Sequence, residues 1–405
     1  MNFNEAIHWI YNQLPSYQEK GKSAYKEDID NVKFFFDKHN FDLSQFKSIH
    51  IAGTNGKGSV AHMLCSVLQQ SGYKVGLFTS PHILDFRERI RIDGIKISKV
   101  FVEDFINKYK RYFEKIHMSF FEMNVAMAFD YFISEKVDFA IIEVGLGGRL
   151  DATNVICPIL SIITNTSIDH TNLLGNSLES ITNEKAGIVK KNTPILIGEK
   201  NSCSYIIEKN AKKLNAPIYY SSNYNYNSDL KGEYQNKNIN TCISAVDILR
   251  PIYDITDVNI VNGLLNVVKN TGLLGRWQVL NKKPKVICDI AHNYNSMKLV
   301  VGQLLKLNKK TSIILGLSHD KDINSIISLF PSNFTYYLTG SYNSRILDPN
   351  KLSKYFDRYN LTYEVFDFSF EAYDYLLSKT DENDLICICG STFVVSDFLK
   401  YLDKA

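Results

Sequence analysis

The sequence predicts an α/β protein of two domains, the first carrying a phosphate-binding loop. Short, β-branched apolar runs alternate with amphipathic helical patterns over most of the chain, as in parallel α/β layers. A second series of such strands begins after residue 284, and 405 residues suit two domains better than one. We expect the junction near Gly272–Gly275, although no proline-rich linker marks it.

The first domain begins with a strand, a glycine turn and a helix. Ile49 and Ile51 indicate a short strand, apolar residues then recur at helical spacing over 57–70, and a second buried strand follows over 73–79. Further buried strands are predicted at 139–144, 159–165 and 194–197, and helices at 102–116, 121–134, 178–190 and 238–249. We interpret the polar stretch 220–238 as a loop or edge hairpin.

The second domain repeats the alternation of strands and helices. Its predicted strands lie at 285–290, 312–317, 334–339 and 385–389, with helices between them.

The glycine turn Gly53-Thr54-Asn55-Gly56-Lys57-Gly58-Ser59 predicts a nucleotide site. Backbone N–H groups at a helix N-terminus bind phosphate, and glycine lets the backbone approach closely. Lys57 is placed to reach the β- and γ-phosphates, and the Ser59 hydroxyl to bind Mg²⁺. The spelling departs from the usual P-loop because Gly58 separates Lys57 from Ser59. The alternative is a β–α turn without a ligand.

Composition narrows the class of protein. The chain is 45% hydrophobic and 22% charged, with a net charge of +3, so nothing favours nucleic acid or an anionic membrane as a partner. The seven cysteines are scattered, mostly in apolar runs, which favours reduced core thiols. The N-terminus resembles no signal peptide, and no apolar run is long enough to span a membrane. We expect a soluble, cytoplasmic protein.

Polar clusters follow several predicted strands, where α/β proteins place their chemistry. Glu143 ends a strand before a glycine-rich turn that contains Arg149, Asp151 and Asn154. His170 follows the next strand, and Lys185 lies 15 residues later on a helix. A carboxylate and a neutral imidazole at neighbouring strand ends can share a divalent cation. Taken singly, each also has a structural explanation: a surface histidine, an ion pair, a solvated helix face.

Together these motifs resemble the folylpolyglutamate synthase/dihydrofolate synthase family of the Mur ligase superfamily. The resemblance runs nearly end to end and rests on GTNGKGS (53–59), TSPH and FRERIRI (79–92), FFE (120–122), EVGLGGRLDATN (143–154), DHTNLLG (169–175), EKAGI (184–188), GR (275–276), DIAHN (289–293) and GS (390–391). It implies an ATP-binding domain of the Mur ligase central type over 1–272. A smaller Rossmann-like glutamate-ligase domain over 273–405 would follow.

The resemblance also implies metal ligands and ATP contacts. Ser59 and Glu143 would share the Mg²⁺ that bridges the ATP phosphates. Glu143, His170 and Lys185 would hold a second Mg²⁺, with Lys185 carbamylated so that an ammonium becomes a carboxylate-like ligand. A monovalent cation is a further possible cofactor in the family.

In the second domain the resemblance implies that Arg276 contacts the γ-phosphate and Asp289 contacts the nucleotide ribose. It also implies that His292 lies next to the reacting end of the substrate. Asn238 would lie beside adenine and Ser391 would help hold glutamate, whereas a helix cap and a strand-end turn are the alternatives. Substrate contacts are expected in the loop after the second strand and in the glycine-rich turn: Thr79, Ser80, Pro81, His82, Arg87 and Asp151. The arginines of that loop could also lie on an exposed strand edge.

The function implied is an ATP-dependent ligase of folate biosynthesis and one-carbon metabolism. It would add L-glutamate to dihydropteroate and to reduced folates through an acyl phosphate, with Lys57, His170, Lys185, Arg276 and His292 as catalytic residues. We expect small-molecule partners only, and a monomer. The alternatives are another Mur-type ligase acting on a UDP-muropeptide, and a P-loop NTPase that drives a partner protein. Only about 48 residues precede the P-loop strand, which speaks against the muropeptide ligases and their additional N-terminal domain.

Overall fold

The chain divides into two compact units. The computed structural model describes residues 1–13 and 28–403. Unit 1 contains Met1–Asp229 and Gln235–Leu273, and unit 2 contains Leu230–Tyr234 and Leu274–Ala405. The chain therefore passes between the units at three points rather than one. Across the described ranges, no helix is both long and apolar enough to cross a membrane.

Unit 1 is built on a mixed sheet with the phosphate-loop strand in its interior. Its strands are β1 (Lys47–Ala52), β2 (Val75–Phe78), β3 (Ile90–Ile92), β4 (Ile95–Lys96), β5 (Phe139–Glu143), β6 (Leu160–Ile163), β7 (Ile195–Ile197) and β8 (Ile218–Tyr220). Their order is β4-β3-β2-β5-β1-β6-β7-β8, parallel from β2 to β8, with β3 and β4 antiparallel. Because β1 lies between β5 and β6, the loops that follow these three strands share one edge of the sheet.

The helices of unit 1 cover the sheet and account for its apolar faces. They are α1 (Phe3–Gln13), α2 (Asp30–Lys38), α3 (Lys57–Gln70), α4 (Lys99–Ile116), α5 (Phe120–Ser134), α6 (Thr171–Leu174), α7 (Leu178–Ala186), α8 (Ser204–Lys213), α9 (Gln235–Leu249), α10 (Asp257–Leu265) and α11 (Val267–Thr271). Helix α5 begins where Ser119 and Glu122 form a reciprocal capping box. Its ring of Phe129 then stacks on Phe36 at 5.6 Å in the aromatic core.

Unit 2 has a separate sheet and a separate core. Its strands are β9 (Gln278–Lys282), β10 (Lys285–Cys288), β11 (Thr311–Leu315), β12 (Thr335–Thr339), β13 (Tyr363–Phe366) and β14 (Leu385–Cys389), in the order β13-β12-β11-β14-β10-β9. All neighbours are parallel except β9, which pairs antiparallel with β10. Its helices are α12 (Tyr294–Lys306), α13 (Ile323–Ile327), α14 (Pro349–Arg358), α15 (Ser369–Leu377) and α16 (Thr392–Leu402).

The predicted strands and most predicted helices are present, and the differences have local causes. Helix α7 ends at Ala186 instead of residue 190, with Gly187 as its C-cap. A Cβ at Gly187 would lie 2.4 Å from Arg149 Cα, so the chain packs there backbone to backbone. Helix α9 begins at Gln235 rather than 238. The polar stretch 220–238 contains the end of β8, an irregular connection and the first turn of α9, so the edge hairpin is wrong.

Candidate nucleotide and metal site

The phosphate loop is a strand–turn–helix unit that requires glycine at two positions. Gly56 precedes α3 in the left-handed region (φ 84°), and Gly53 has φ 151°. A Cβ at Gly56 would lie 2.3 Å from Asn238 Oδ1, and one at Gly53 would lie 1.9 Å from Thr164 Oγ1. Both positions therefore require glycine. The N-terminus of α3, with its N–H groups and dipole, is left facing the turn as an anion site.

The segment after β6 braces this loop. Asn165 accepts the Thr54 N–H at its carbonyl (2.9 Å) and the Asn55 N–H at its side-chain oxygen (3.0 Å). Thr164 Oγ1 donates to the Asn55 carbonyl at 2.7 Å. The path of the loop backbone is thus fixed before any anion binds, which lowers the cost of binding one at the N-terminus of α3.

Two lysines meet at one carbonyl of the loop. Lys57 Nζ donates to the Gly53 carbonyl at 2.8 Å and to the Thr54 carbonyl at 3.1 Å. Lys185 Nζ, 4% exposed, donates to the same Gly53 carbonyl at 3.0 Å. Burial, reinforced by the charge of Lys57, lowers the pKa of Lys185 to about 7. An amine with such a pKa is substantially neutral at physiological pH and therefore nucleophilic.

Ser59 is held by Gln235, which was not among the predicted site residues. Gln235 Nε2 donates to Ser59 Oγ at 3.2 Å, and Gln235 Oε1 accepts from Asn238 Nδ2 at 2.7 Å. Ser59 and Gln235 are each 1% exposed. The first turn of α9 is therefore joined to the first turn of α3. The spacing of Gln235 and Asn238, one helical turn, was the available signal.

Glu143 lies at the end of β5, 4% exposed, and accepts the Ser80 N–H at 3.1 Å. The loop that carries Ser80 is ordered by Glu88, whose carboxylate accepts the N–H groups of three successive residues, 83–85, at 2.8–3.0 Å. The carboxylate predicted to bind metal is thus fixed by the loop predicted to contact substrate.

Within that loop, His82 and the buried Arg89 form a polar pair. Arg89 Nε donates to His82 Nδ1 at 2.9 Å, so the neutral ring carries its proton on Nε2, 3.2 Å from Tyr11 Oη. Arg89 is 2% exposed, and burial lowers its pKa to about 10. The exposed strand edge considered for the loop arginines is therefore wrong for Arg89. Arg87 instead pairs with Asp85 at 2.7 Å and is half-buried.

His170 has a left-handed backbone (φ 50°) and precedes α6. Its Nε2 lies 3.9 Å from Asp169 Oδ2, and its N–H bonds to Asp169 Oδ1 at 2.8 Å. The sequence analysis missed Asp169 as its partner. Asp169 and Asp151 also act on Lys185, and both raise its pKa against the effects of burial and Lys57.

The side chains at this edge of the unit 1 sheet suit a hard divalent cation only if Lys185 is modified. Within residues 1–13 and 28–403, no three His, Cys, Asp or Glu side chains form a group able to hold a metal. The predicted set instead combines Ser59, Glu143 and His170 with Lys185. A neutral Lys185 amine that accepts carbon dioxide would add the missing oxygen ligands, so the residues present fit a metal on that condition.

The glycine-rich turn after β5 is tied to α7. Arg149 donates to Glu184 Oε1 from Nε (3.1 Å) and Nη2 (2.8 Å), and its N–H bonds to the Glu184 carbonyl. The Asp151 carboxylate is 4% exposed and accepts the N–H groups of Leu146 and Thr153, at 2.9 and 3.0 Å. Burial raises the pKa of Asp151. Asp151 thus shapes this turn, and its contact with substrate stays a prediction.

In unit 2, the Asp289 carboxylate fixes the local backbone by hydrogen bonds. Its carboxylate accepts the Trp277 N–H at 2.8 Å, the Ala291 N–H at 2.9 Å and the Tyr234 hydroxyl at 2.5 Å. Burial raises the pKa of Asp289, while Tyr234 and Arg276 oppose that rise. Arg276 directly precedes Trp277, whose N–H this carboxylate binds. The ribose contact of Asp289 stays a prediction.

The remaining predicted residues lie at helix starts. His292 Nδ1 is 2.9 Å from the Ile290 carbonyl, two residues before α12. Ser391 caps α16 by accepting the Phe393 N–H at 3.2 Å. The cap accounts for the Ser391 hydroxyl structurally, and its contact with glutamate stays a prediction, as does the role of His292.

Comparisons with known proteins identify the family to which the chain belongs. Residues 51–281 match the Mur ligase middle domain, and residues 275–392 match the Mur ligase glutamate ligase domain. A protein of Buchnera aphidicola subsp. Schizaphis graminum, named dihydrofolate synthase/folylpolyglutamate synthase, is 30% identical over 98% of each chain. A Haloferax volcanii relative, named probable bifunctional folylpolyglutamate synthase/dihydropteroate synthase, is 29% identical over 98% of this chain, which spans only 50% of its length.

Solved structures are similar over the whole chain. The Escherichia coli FolC protein in complex with DHPP and ADP has a TM-score of 0.84 and 25% identity, covering 100% of this chain and 98% of its own. A bifunctional folylpolyglutamate synthase/dihydrofolate synthase with Mn, AMPPNP and L-glutamate bound has a TM-score of 0.85 and 25% identity, with the same coverage.

Proposed function

This chain belongs to the Mur ligase family, and from that premise we propose that it joins L-glutamate to dihydropteroate and to reduced folates at the expense of ATP. It is an ATP-dependent ligase of the dihydrofolate synthase/folylpolyglutamate synthase type. The observation that carries the proposal is the meeting of Lys57 and the buried Lys185 on the Gly53 carbonyl. That arrangement combines a phosphate-binding lysine with a second lysine whose amine is neutral enough to be modified.

ATP and a divalent cation are the cofactors. The relatives of known structure hold ADP, or AMPPNP with Mn, at similar folds. In this chain the turn 53–59 is braced by Thr164 and Asn165, and we propose that the N-terminus of α3, which follows the turn, binds the phosphates. We propose that Lys57 leaves the Gly53 and Thr54 carbonyls and turns to the β- and γ-phosphates, and that Asn238 lies beside adenine.

We propose that Lys185 carries a carbamate and that Ser59, Glu143, His170 and the modified Lys185 hold the divalent cations. When bound, the cations would neutralise phosphate oxygens and stabilise the charge that develops at the acyl carbon. The burial of Lys185 supports the modification, because an ammonium beside Lys57 is unfavourable and a carbamate anion is not.

The chemistry would proceed in two stages. The substrate carboxylate attacks the γ-phosphorus of ATP, giving an acyl phosphate and ADP, while Lys57 and Arg276 balance charge on the transferred oxygens. The glutamate amine then attacks the acyl carbon and phosphate leaves. We propose that His292 accepts the proton of that amine or binds it, and that Ser391 helps hold glutamate. The loop 79–89 would hold the pterin end, with His82 and Arg89 already paired there.

The test is ADP release with ATP, Mg²⁺ and L-glutamate, with dihydropteroate in one reaction and a reduced folate in another. Release in both, dependent on glutamate, is the expected result for a bifunctional enzyme. Release without glutamate would identify an NTPase instead, and release only with a UDP-muropeptide would identify the other Mur-type ligase.

Lys57→Ala tests the site itself. We expect loss of ADP release by at least about a hundredfold, because the phosphoryl oxygens lose a positioned cation. Lys74→Ala is the matched control, since it removes a partly exposed lysine whose pairing with Glu135 at 2.9 Å contributes little. Wild-type turnover by Lys57→Ala at equal folded fraction would contradict the assignment.

A further inference from the structure

A five-residue strap leaves unit 1 and returns to it. Leu230–Tyr234 belongs to unit 2, although Asp229 before it and Gln235 after it belong to unit 1. The peptide bond between Tyr234 and Gln235 therefore joins the two units at a place remote in sequence from the junction at 273–274. We call residues 230–234 the strap.

The strap is fastened to helix α12 of unit 2. Gln303 accepts the Glu233 N–H at 2.8 Å and donates to the Lys231 carbonyl at 3.2 Å, so one side chain holds two strap residues. Lys306, one turn further along α12, forms an ion pair with Glu233. Backbone bonds of this kind fix the path of the strap rather than only its side chains.

At its end, the strap contributes the third donor to the Asp289 carboxylate. Tyr234 Oη donates at 2.5 Å to the same Oδ2 that accepts the Trp277 N–H at 2.8 Å. Asp289 is 3% exposed, so no bulk water replaces a donor that is lost. Hydrogen bonds to a buried charge are among the stronger ones in proteins.

The bond to Trp277 controls the residue next to it. Trp277 has φ 46°, a left-handed conformation that a bulky side chain adopts only when its surroundings impose it. Trp277 is 3% exposed in the core of unit 2, and its N–H is held by Asp289. Asp289 thus holds the backbone immediately after Arg276.

The residue that follows the strap holds the phosphate loop. Gln235 donates to Ser59 Oγ at 3.2 Å and accepts from Asn238. Gln235 therefore has its contacts within unit 1, whereas Tyr234 has its contact with Asp289 within unit 2.

We propose that Tyr234 is a positioning residue for ATP, which acts through Asp289 and Trp277 on Arg276. The proposal rests on the proposed function, because it presumes that Arg276 binds the nucleotide. It adds a residue of the strap to the part of unit 2 that serves ATP.

Tyr234→Phe is the test, with Tyr363→Phe as its matched control. Each substitution removes one hydroxyl that donates to an aspartate in unit 2, but Tyr363 bonds to Asp357 at 2.8 Å on the surface. We expect kcat/KM for ATP to fall about tenfold in Tyr234→Phe, the effect of losing one bond to a charged group. The KM for L-glutamate and for the folate substrate, and the circular dichroism spectrum, should stay unchanged.

A merely structural role for Tyr234 predicts a different result. It would lower the melting temperature and depress all kinetic constants together, and that outcome overturns the proposal. A Tyr234→Phe enzyme that matches Tyr363→Phe in every constant also overturns it. If the wild type itself releases no ADP in response to glutamate, the proposed function has failed instead, so the two failures are distinct.

Gln303→Leu tests the strap without altering Tyr234 or Gln235. It removes both bonds between α12 and the strap. We expect the same selective loss in kcat/KM for ATP, smaller than that of Tyr234→Phe, and a double variant less than additive because both act through the strap. Full additivity, or no effect of Gln303→Leu, would show that the strap does not position Tyr234.

Discussion

The burial of Lys185 changes the protonation of its amine. On a helix in the sequence it would ordinarily be a solvated cation, whereas its amine is 4% exposed and lies with Lys57 on one carbonyl. The cost of burying a positive charge beside Lys57 is removed when Lys185 gives up its proton. Its pKa of about 7 is the consequence.

We expect Lys185 to be carbamylated and the enzyme to depend on carbon dioxide. Only the neutral amine reacts, so the modified fraction should rise as pH increases through about 7, the pKa of Lys185. Carbon-13 NMR with labelled bicarbonate should detect the carbamate, and degassed enzyme should lose activity that bicarbonate restores.

Lys185→Arg is the control, because arginine keeps a cation at this position and does not form the carbamate. Equal labelling of wild type and Lys185→Arg, or full activity of the variant, would contradict the prediction.

The types of the site residues could be predicted from sequence, but their partners could not. The spelling of the phosphate loop and the positions of Glu143, His170 and Lys185 follow from motifs at strand ends. The hydrogen bonds of the Asp289 carboxylate include one from Tyr234, 55 residues away in sequence. Gln235 is likewise 176 residues from Ser59. Contacts at such separations leave no local pattern.

At the scale of elements, helix α10 packs on the phosphate helix α3 through a glycine. A Cβ at Gly263 would lie 2.6 Å from Val67 Cα, and Ser66 Oγ donates to the Gly263 carbonyl at 2.6 Å. The absence of a side chain lets the two backbones approach closely. This contact lies towards the C-terminal end of α3, away from the end that faces the phosphate turn.

Gly263→Ala should therefore destabilise the protein by about 1–3 kcal/mol, since the added methyl meets backbone that cannot move aside cheaply. Gly302→Ala in α12 is the matched control. A Cβ there meets nothing within 4 Å, so replacing a mid-helix glycine should stabilise by up to about 1 kcal/mol. Urea unfolding of both variants measures the difference, and equal midpoints would contradict it.

Helices α1, α2, α6, α8, α10 and α11 were not predicted, and neither were strands β3, β4, β8, β9 and β13. β4 has two residues and α11 five, so periodicity has too few residues to show itself. In β9 and β13 exposed polar residues interrupt the pattern, because both are edge strands. The central parallel strands, buried along nearly their whole length, were all recognised from their continuous apolar runs.

At the scale of the molecule, the two units have separate sheets and separate cores. We expect calorimetry to resolve more than one unfolding transition, since domains with independent cores depart from two-state behaviour. AMPPNP with Mg²⁺ at one hundred times its Kd should stabilise the transition of unit 1 by about 2.7 kcal/mol. The wild type is compared with Lys57→Ala, in which that shift should vanish. A single transition with equal calorimetric and van't Hoff enthalpies would contradict independent unfolding.

The strap also limits how such a protein can exchange parts with its relatives during evolution. A hybrid gene with one recombination point near codon 273 would combine the Tyr234 of one parent with the Asp289 of the other, although both lie in unit 2. An intact second unit requires exchange of codons 230–234 as well, which needs two further recombination points. A single recombination point near codon 273 is therefore expected to disturb the Tyr234–Asp289 contact inside the second unit.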